Sequence, residues 1–490
     1  MNFTFKKNKL IVLITSLLFI GFLTAWIPDK VEDKVVAKFG DNQITLKEYK
    51  IAYLQLLKQP KVFDSKELRK NFLDELIKSK LLTEEAKKEG LDKDELIVYR
   101  IDAFRNKCMR SEHFEKVIKP MIHIDEKDIE EAYLFTQEER RISHLFSTDK
   151  STIDSIYQLL KNGASFDSLA SVVFQDSVLA NNGGDLGWVN WDQMEYNLAM
   201  PAYRLKINEF SEPVKSIFGY HILKVTGYKK KPLISRSEYE LHRRKAKYLL
   251  ENKIGEKLAF DYIDKMRKEA KILIYPDAVS LIEQKLTGIL KRKPSQTDQM
   301  FEIQLKDDEI KSIEKNLWDE HNKIVAIVND KNLTMEEFIG YLSFVPYQVI
   351  YSGIKSILDY IFRDYLITEE AKQMGLENDE NVLLKLKVYT DNLLQLELRK
   401  KLVQSVDVRE NEVKNFYEKH KSKYNGATFG QMRDYLYKFV KEEKQRNVVS
   451  QYVKKLSKGI KITTNVNLIQ RYFNALLNNK NPDQEFSGKD

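Results

Sequence analysis

Cysteine is nearly absent from this chain of 490 residues: Cys108 stands alone. That excludes an intramolecular disulfide and any zinc site built on cysteines. Histidine is scarce too, at seven residues. They are scattered, and none shows the i, i+4 spacing with a nearby carboxylate that metal sites use. No metal and no cofactor is expected. Excess charge of one sign is small, at +8 from 81 Lys+Arg against 73 Asp+Glu. The signs interleave along predicted helices, as in Lys66-Glu67-Leu68-Arg69-Lys70, rather than forming the basic stripe that a nucleic acid selects. The charge reads as a solvated surface, and no nucleic-acid partner is expected. Hydrophobic residues at 42% and charged residues at 31% describe a folded chain. Its length is too great for one core and implies roughly two to four domains.

What is present begins at the N-terminus. Lys6, Lys7 and Lys9 form a positive region, and Leu10 to Trp26 is apolar apart from Thr15, Ser16 and Thr24. This is the pattern of a secretory signal. A run of about 17 residues is also the lower limit for a membrane span. A small-x-small cleavage pattern is missing, because Leu23 stands two residues before Ala25, and no cysteine follows to carry a lipid. Residues 1–30 are therefore expected to be a signal peptide or membrane anchor. The rest is expected in the periplasm or another extracytoplasmic space, soluble after cleavage or anchored to the inner membrane.

The chain then repeats itself. Val35 to Thr45 reads as strand, Gly-Asp-Asn turn and strand, followed by a helix capped at Thr45 with Glu48 three residues on. Leu46, Tyr49, Tyr53 and Leu56 recur at helical spacing. Further helices are predicted over 66–89, with Gly90 as its cap, 94–118 and 126–137. Ile324 to Thr334 restates the opening, and 357–376 restates 72–91 with ten identities in twenty positions. Val408 to Val413 matches Ile124 to Ile129, and a closing piece, Tyr262 to Ile272, matches Tyr452 to Ile462. Chance likeness between amphipathic helices would not reproduce the strand-turn-strand as well, so this is an internal duplication. The first copy carries about a hundred extra residues that the second lacks.

Those extra residues hold a pattern of five blocks. They are Arg140-Arg141-Ile142-Ser143-His144-Leu145-Phe146, then Phe174 to Trp188 ending in Gly-Gly-Asp-Leu-Gly-Trp, then Gln193-Met194, Phe210-Ser211-Glu212-Pro213-Val214, and Phe218-Gly219-Tyr220-His221-Ile222-Leu223. Alternation along 141–147 puts Ile142, His144 and Phe146 on one face; along 219–226 it groups His221 with Gly219 and Leu223. Two short helices, around 151–162 and 166–173, complete a small α+β layer. Gly183, Gly184 and Gly187 suit a tight turn with positive φ. Phosphate binding is excluded there, because no Lys-Ser/Thr follows and a strand comes next.

In order and spacing the five blocks resemble the parvulin family of peptidyl-prolyl isomerases. The flanking duplicated helices are similar, more loosely, to the segments that wrap parvulin modules in SurA-type and PpiD-type chaperones. The resemblance implies a buried histidine pair, His144 and His221, at a pocket floor. It implies Asp176 or Ser177 where an acidic or thiol side chain belongs, an apolar proline shelf of Leu186, Met194 and Leu198, and Phe218 at the edge. Leu198 stands where parvulins usually present Phe, and Ser177 where some have a thiol. A lone inward histidine on a strand is usually a satisfied core residue, but two in this register favour a site.

The expected fold class is α+β: duplicated helical SurA-like units with one inserted parvulin domain, a small antiparallel sheet with surrounding helices. The expected divisions are a first helical unit, 31–138; the parvulin insert, 139–230, folding on its own; a closing helix and strand of the first copy, 231–291; a partly helical linker, 292–321; a second unit without insert, 322–480; and a polar tail, 481–490. Tyr53, Tyr341, Phe344, Tyr347 and Tyr351 are candidates for an apolar client groove, with core packing as the competing role. The expected function is isomerisation joined to chaperoning of unfolded or proline-containing polypeptides, envelope or outer-membrane proteins among them. The alternative is a holdase whose parvulin insert only binds peptides; a membrane-tethered scaffold near the export channel is a third.

Overall fold

The computed structural model describes residues 29–59, 61–174, 177–216, 219–230, 235–289, 305–351 and 353–477. The apolar N-terminal run, the first part of the expected linker and the tail lie outside these residues. Among the described residues no helix is long and apolar enough to cross a membrane. The protein is mostly helical, with three small antiparallel sheets among the described residues. Its strands are β1 (Val35–Phe39), β2 (Asn42–Thr45), β3 (Glu138–Ser147), β4 (Asp185–Asn190), β5 (Val214–Ser216), β6 (Gly219–Lys230), β7 (Ile272–Ile274), β8 (Ile324–Val328), β9 (Lys331–Thr334) and β10 (Ile462–Thr464).

Local chemistry accounts for the element ends. The Thr45 side chain accepts the Glu48 N–H at the head of helix Leu46–Leu57. In the second copy Thr334 and Glu337 complete a reciprocal capping box. Gly90 and Gly375 end the matching helices at φ of 76° and 70°, a left-handed conformation that side chains with a Cβ resist. The helix expected over 94–118 is α-helical only as far as His113 and continues as a π turn over Phe114–Ile118.

The described residues divide into two compact units, one within 110–374 and one of 29–109 with 375–477. In the second, the strand order is β10-β1-β2. Tyr49 and Tyr53 of helix Leu46–Leu57 pack with Leu73 and Ile77 and with Ile469, Tyr472 and Phe473 of helix Val466–Leu477. In the first, the order is β7-β8-β9. Each opening hairpin is thus closed by the strand that ends the other copy. The segment expected to close the first copy, 231–291, gives its strand to the second copy's hairpin. Equivalent side chains mark the exchange: the hydroxyl of Tyr452 donates to Glu85 at 3.5 Å in one unit and that of Tyr262 to Glu370 at 2.5 Å in the other. Both closing strands have only three residues, so likeness of sequence cannot say which copy each one serves.

The aromatic residues considered for a client groove are largely core. Tyr53, Tyr341 and Tyr347 are buried, and Phe344 is partly buried. A hairpin of four- and five-residue strands buries little apolar area by itself, so the following helix turns its aromatic face inward.

Candidate active site

The isomerase-like sheet lies in the unit of residues 110–374, in the order β4-β3-β6-β5. Antiparallel pairing sets His144 opposite Leu223 and Phe146 opposite His221. Ile142, His144, Phe146, His221, Leu223 and Val225 therefore share one face. The other face, with Leu145 and Ile222, packs on helices Lys150–Lys161 and Phe166–Val173.

The two imidazoles meet at 3.2 Å between their Nδ1 atoms. His221 Nε2 lies 2.8 Å from the Ser216 hydroxyl, and the buried His144 Nε2 has no hydrogen-bond partner among the described residues. Either proton order is allowed: His144 donates to His221, which donates to Ser216, or the chain runs the other way. Phe146 and Phe174 flank the pair, with ring centroids 4.9 Å from His221 and 5.1 Å from His144. Burial of both rings, with the neighbouring His221 as a second cause for His144, pushes the imidazoles down to about 3 for His144 and about 4 for His221. Both are neutral at neutral pH.

The glycine-rich loop holds this floor in place. Gly184 has φ of 71°, and a Cβ there would fall 2.2 Å from the His144 carbonyl oxygen. Its own carbonyl accepts the His144 N–H at 3.0 Å. The Asp185 carboxylate accepts the Gly187 N–H at 2.9 Å and pairs with Arg141 at 2.7 Å, which fixes the turn into β4.

Met194 and Leu198 are buried in one apolar cluster with Ile142 and Leu223, and the partly buried Leu186 packs against it. The expected shelf residues and the histidines thus come together on one face. Ser177 is exposed at the start of a five-residue helix, and no described hydrogen bond joins it to either histidine. Asp176 and Phe218 lie outside the described residues. Sequence reasoning missed Ser216. Only the register of the hairpin reveals it, since β5 pairs Val214 with His221 and Ser216 with Gly219, which puts the hydroxyl on the same face as the ring.

The boundary of the insert is less sharp than 139–230. Ala132 from helix Glu126–Thr136 and Leu250 from helix Arg236–Glu269 belong to the same buried cluster as Ile142, Val189, Trp191 and Met194.

This sheet, its buried histidine pair and the apolar cluster beside them fit a parvulin-type isomerase domain set among chaperone-like helices. Residues 122–229 match the family described as a PPIC-type PPIASE domain, and residues 3–120 match the SurA-like N-terminal domain. The foldase protein PrsA of Geobacillus kaustophilus (strain HTA426) is 31% identical over 232 residues, which is 44% of this chain and 81% of that protein. The foldase protein PrsA of Bacillus subtilis (strain 168) is 31% identical over 255 residues, 51% of this chain and 72% of that one. The solved peptidylprolyl isomerase PrsA of Bacillus anthracis is 26% identical, covers 40% of this chain and 97% of its own, and has a TM-score of 0.22. The chain belongs to the family of these foldases, with a parvulin-type peptidyl-prolyl isomerase domain and a SurA-like N-terminal domain.

Proposed function

We propose that this foldase is exported and isomerises Xaa-Pro bonds in unfolded envelope or outer-membrane polypeptides, using the floor of His144, His221 and Ser216 and the shelf of Leu186, Met194 and Leu198. The barrier to peptide-bond rotation is about 18–20 kcal/mol because resonance must be broken. No bond to the enzyme is required. The twisted amide is less conjugated and less polar than the planar one, so a dry, apolar and uncharged pocket favours it relative to the ground state. The buried, neutral histidine pair carries this reading. Export is supported by the three lysines ahead of the apolar run 10–26, and a tether to the inner membrane follows if that run is retained.

The test is a proline-peptide isomerisation assay. His144→Ala and His221→Ala should each slow the reaction while suppression of client aggregation by the helical units survives. A folded wild-type protein that accelerates no Xaa-Pro peptide sinks the reading. A second reading, a holdase whose parvulin domain binds peptides without turning them over, is favoured by Leu198 in place of an aromatic wall and by the exposed Ser177. It predicts peptide binding without rate enhancement. For export, a reporter fused after residue 300 that is active only in the cytoplasm would overturn the assignment.

A further inference from the structure

Lys253 lies outside both matched family regions, on helix Arg236–Glu269 that follows the isomerase sheet. It is 5% exposed. Its ammonium donates to the Met194 carbonyl and approaches the Asp192 carbonyl at 3.5 Å. It also stands 4.9 Å from the centre of the Trp191 ring. Among the described residues it forms no ion pair. A buried cation held only by carbonyls and an aromatic face is a costly arrangement, and its partners are the last carbonyls of one short turn. That turn, Trp191–Gln193, is tied at its start by Asn190 and Gln193 capping each other. Its end runs straight into Met194, and Leu198 follows one turn later. Leu250, three residues before Lys253 on the same helix, packs in the cluster that contains Met194 and Leu198.

We infer that Lys253 is a positioning residue for the isomerase, whose ammonium pins the Met194 carbonyl and so sets the proline shelf from a helix outside the catalytic sheet. The inference rests on Met194 and Leu198 being that shelf. The helix thereby becomes a working part of the isomerase and not merely a connection between repeats.

The charged groups around Lys253 are Glu256 on its own helix, Asp192 in the turn and Glu195 at the start of helix Tyr196–Arg204; all three favour the ammonium. Burial outweighs them and pulls the lysine down to about 8. The two histidines titrate far below this range. Because the folded state gives up this proton before the unfolded chain does, the Lys253 contribution to stability rises with pH between about 8 and the usual lysine range. The hold on Met194 weakens over the same interval, since a charged donor bonds about twice as strongly as a neutral one. Stability and activity should therefore move in opposite directions, which a purely structural lysine would not produce.

The experiment measures kcat/KM of the full chain on a Xaa-Pro peptide from pH 6 to 10, with a thermal melt at each pH. The wild type should lose activity, on the order of tenfold, above about pH 8 without losing stability. Lys253→Met should remove that limb and show an activity lowered on the order of tenfold at pH 7. Lys253→Arg, charged throughout, should keep the rate and abolish the fall; if Arg does not fold, the wild-type profile decides. A wild-type profile flat to pH 10, with a folded Lys253→Met variant at full kcat/KM, overturns the inference. Met194→Ala separates the two levels. If it too is fully active, the shelf reading fails; if it is impaired while the Lys253 variants are silent, only the positioning role fails.

Discussion

Gly184→Ala isolates the contact between the glycine-rich loop and the histidine floor. The new Cβ would stand 2.2 Å from the His144 carbonyl oxygen and 3.2 Å from the Phe174 ring. That oxygen belongs to the backbone of β3, which is paired on both sides, so it cannot swing away as a side chain could. Relief requires the loop to lift off the strand, with loss of the bond from the His144 N–H to the Gly184 carbonyl. Three costs combine: left-handed strain of about 1–2 kcal/mol, overpacking of about 1–3 kcal/mol, and a lost hydrogen bond of about 0.5–1.5 kcal/mol. Gly187→Ala in the same loop is the control. Gly187 has φ of 81° with nothing within 4 Å of an added Cβ, so it meets the strain alone. Gly184→Ala should thus be less stable than Gly187→Ala by roughly 1.5–4.5 kcal/mol. Denaturant unfolding, together with hydrogen exchange at the His144 amide, measures the difference, and isomerisation should drop alongside it. Equal stability of the two variants within about 0.5 kcal/mol would refute the argument that this approach is close and rigid.

The remaining expectations follow from burial. Since both histidines are depressed in the folded state, to about 3 and about 4, the unfolded chain binds more protons below pH 6.5; stability should be full above that pH and fall by up to about 1.4 kcal/mol per pH unit per histidine toward pH 4, and acid melts that stay level would contradict this. Arg110 and Asp364, paired at 3.1 Å and each 2% exposed, should not tolerate loss of one partner: Asp364→Asn is expected to cost about 3–5 kcal/mol in denaturant unfolding, whereas loss of the half-exposed Lys387 partner of Glu48 should stay within about 1 kcal/mol. A fragment of 122–260 should be more stable to urea than 139–230, because the shorter piece lacks Ala132, Phe135 and Leu250; equal midpoints would show that these residues add nothing.

Local signals were legible in proportion to how local their physics is. The Thr45 cap, the left-handed Gly90 and the strand alternation around His144 and His221 each depend on a few neighbouring residues, and each is present as read. The pairing of β10 with β1, which sets Ala37 opposite Thr464, and of β7 with β8, which sets Ile272 opposite Val328, joins strands of different copies that no local signal assigns to each other. Ser216 was hidden because a serine on a strand carries no signal until the hairpin register is known. Lys253 was hidden because a lysine amid the charged helix Arg236–Glu269 looks like its solvated neighbours. Only the packing of Trp191 beneath it reveals that this lysine is buried. Likewise, Tyr53 and Tyr341 look alike as groove and as core on paper. What decides for the core is how little apolar area a four-residue strand can cover.

The exchange of closing strands changes what the second copy is for. Without residues beyond 375, β1 would lose β10, and Tyr49 and Tyr53 would lose the cover of Tyr472 and Phe473. Glu32, which accepts from Lys50 and from the Tyr472 hydroxyl, would lose one of its two buried donors. Lys80 would keep Glu48 but lose Asp391. Each loss strikes a buried polar or aromatic group, the kind whose exposure or orphaning costs most. The copy without an isomerase domain is therefore half of each of two cores. Within the unit of residues 110–374 the second copy also holds helix Arg236–Glu269, which packs against the isomerase sheet: Tyr262 bonds Glu370, and Arg267 pairs with Asp359 at 2.7 Å.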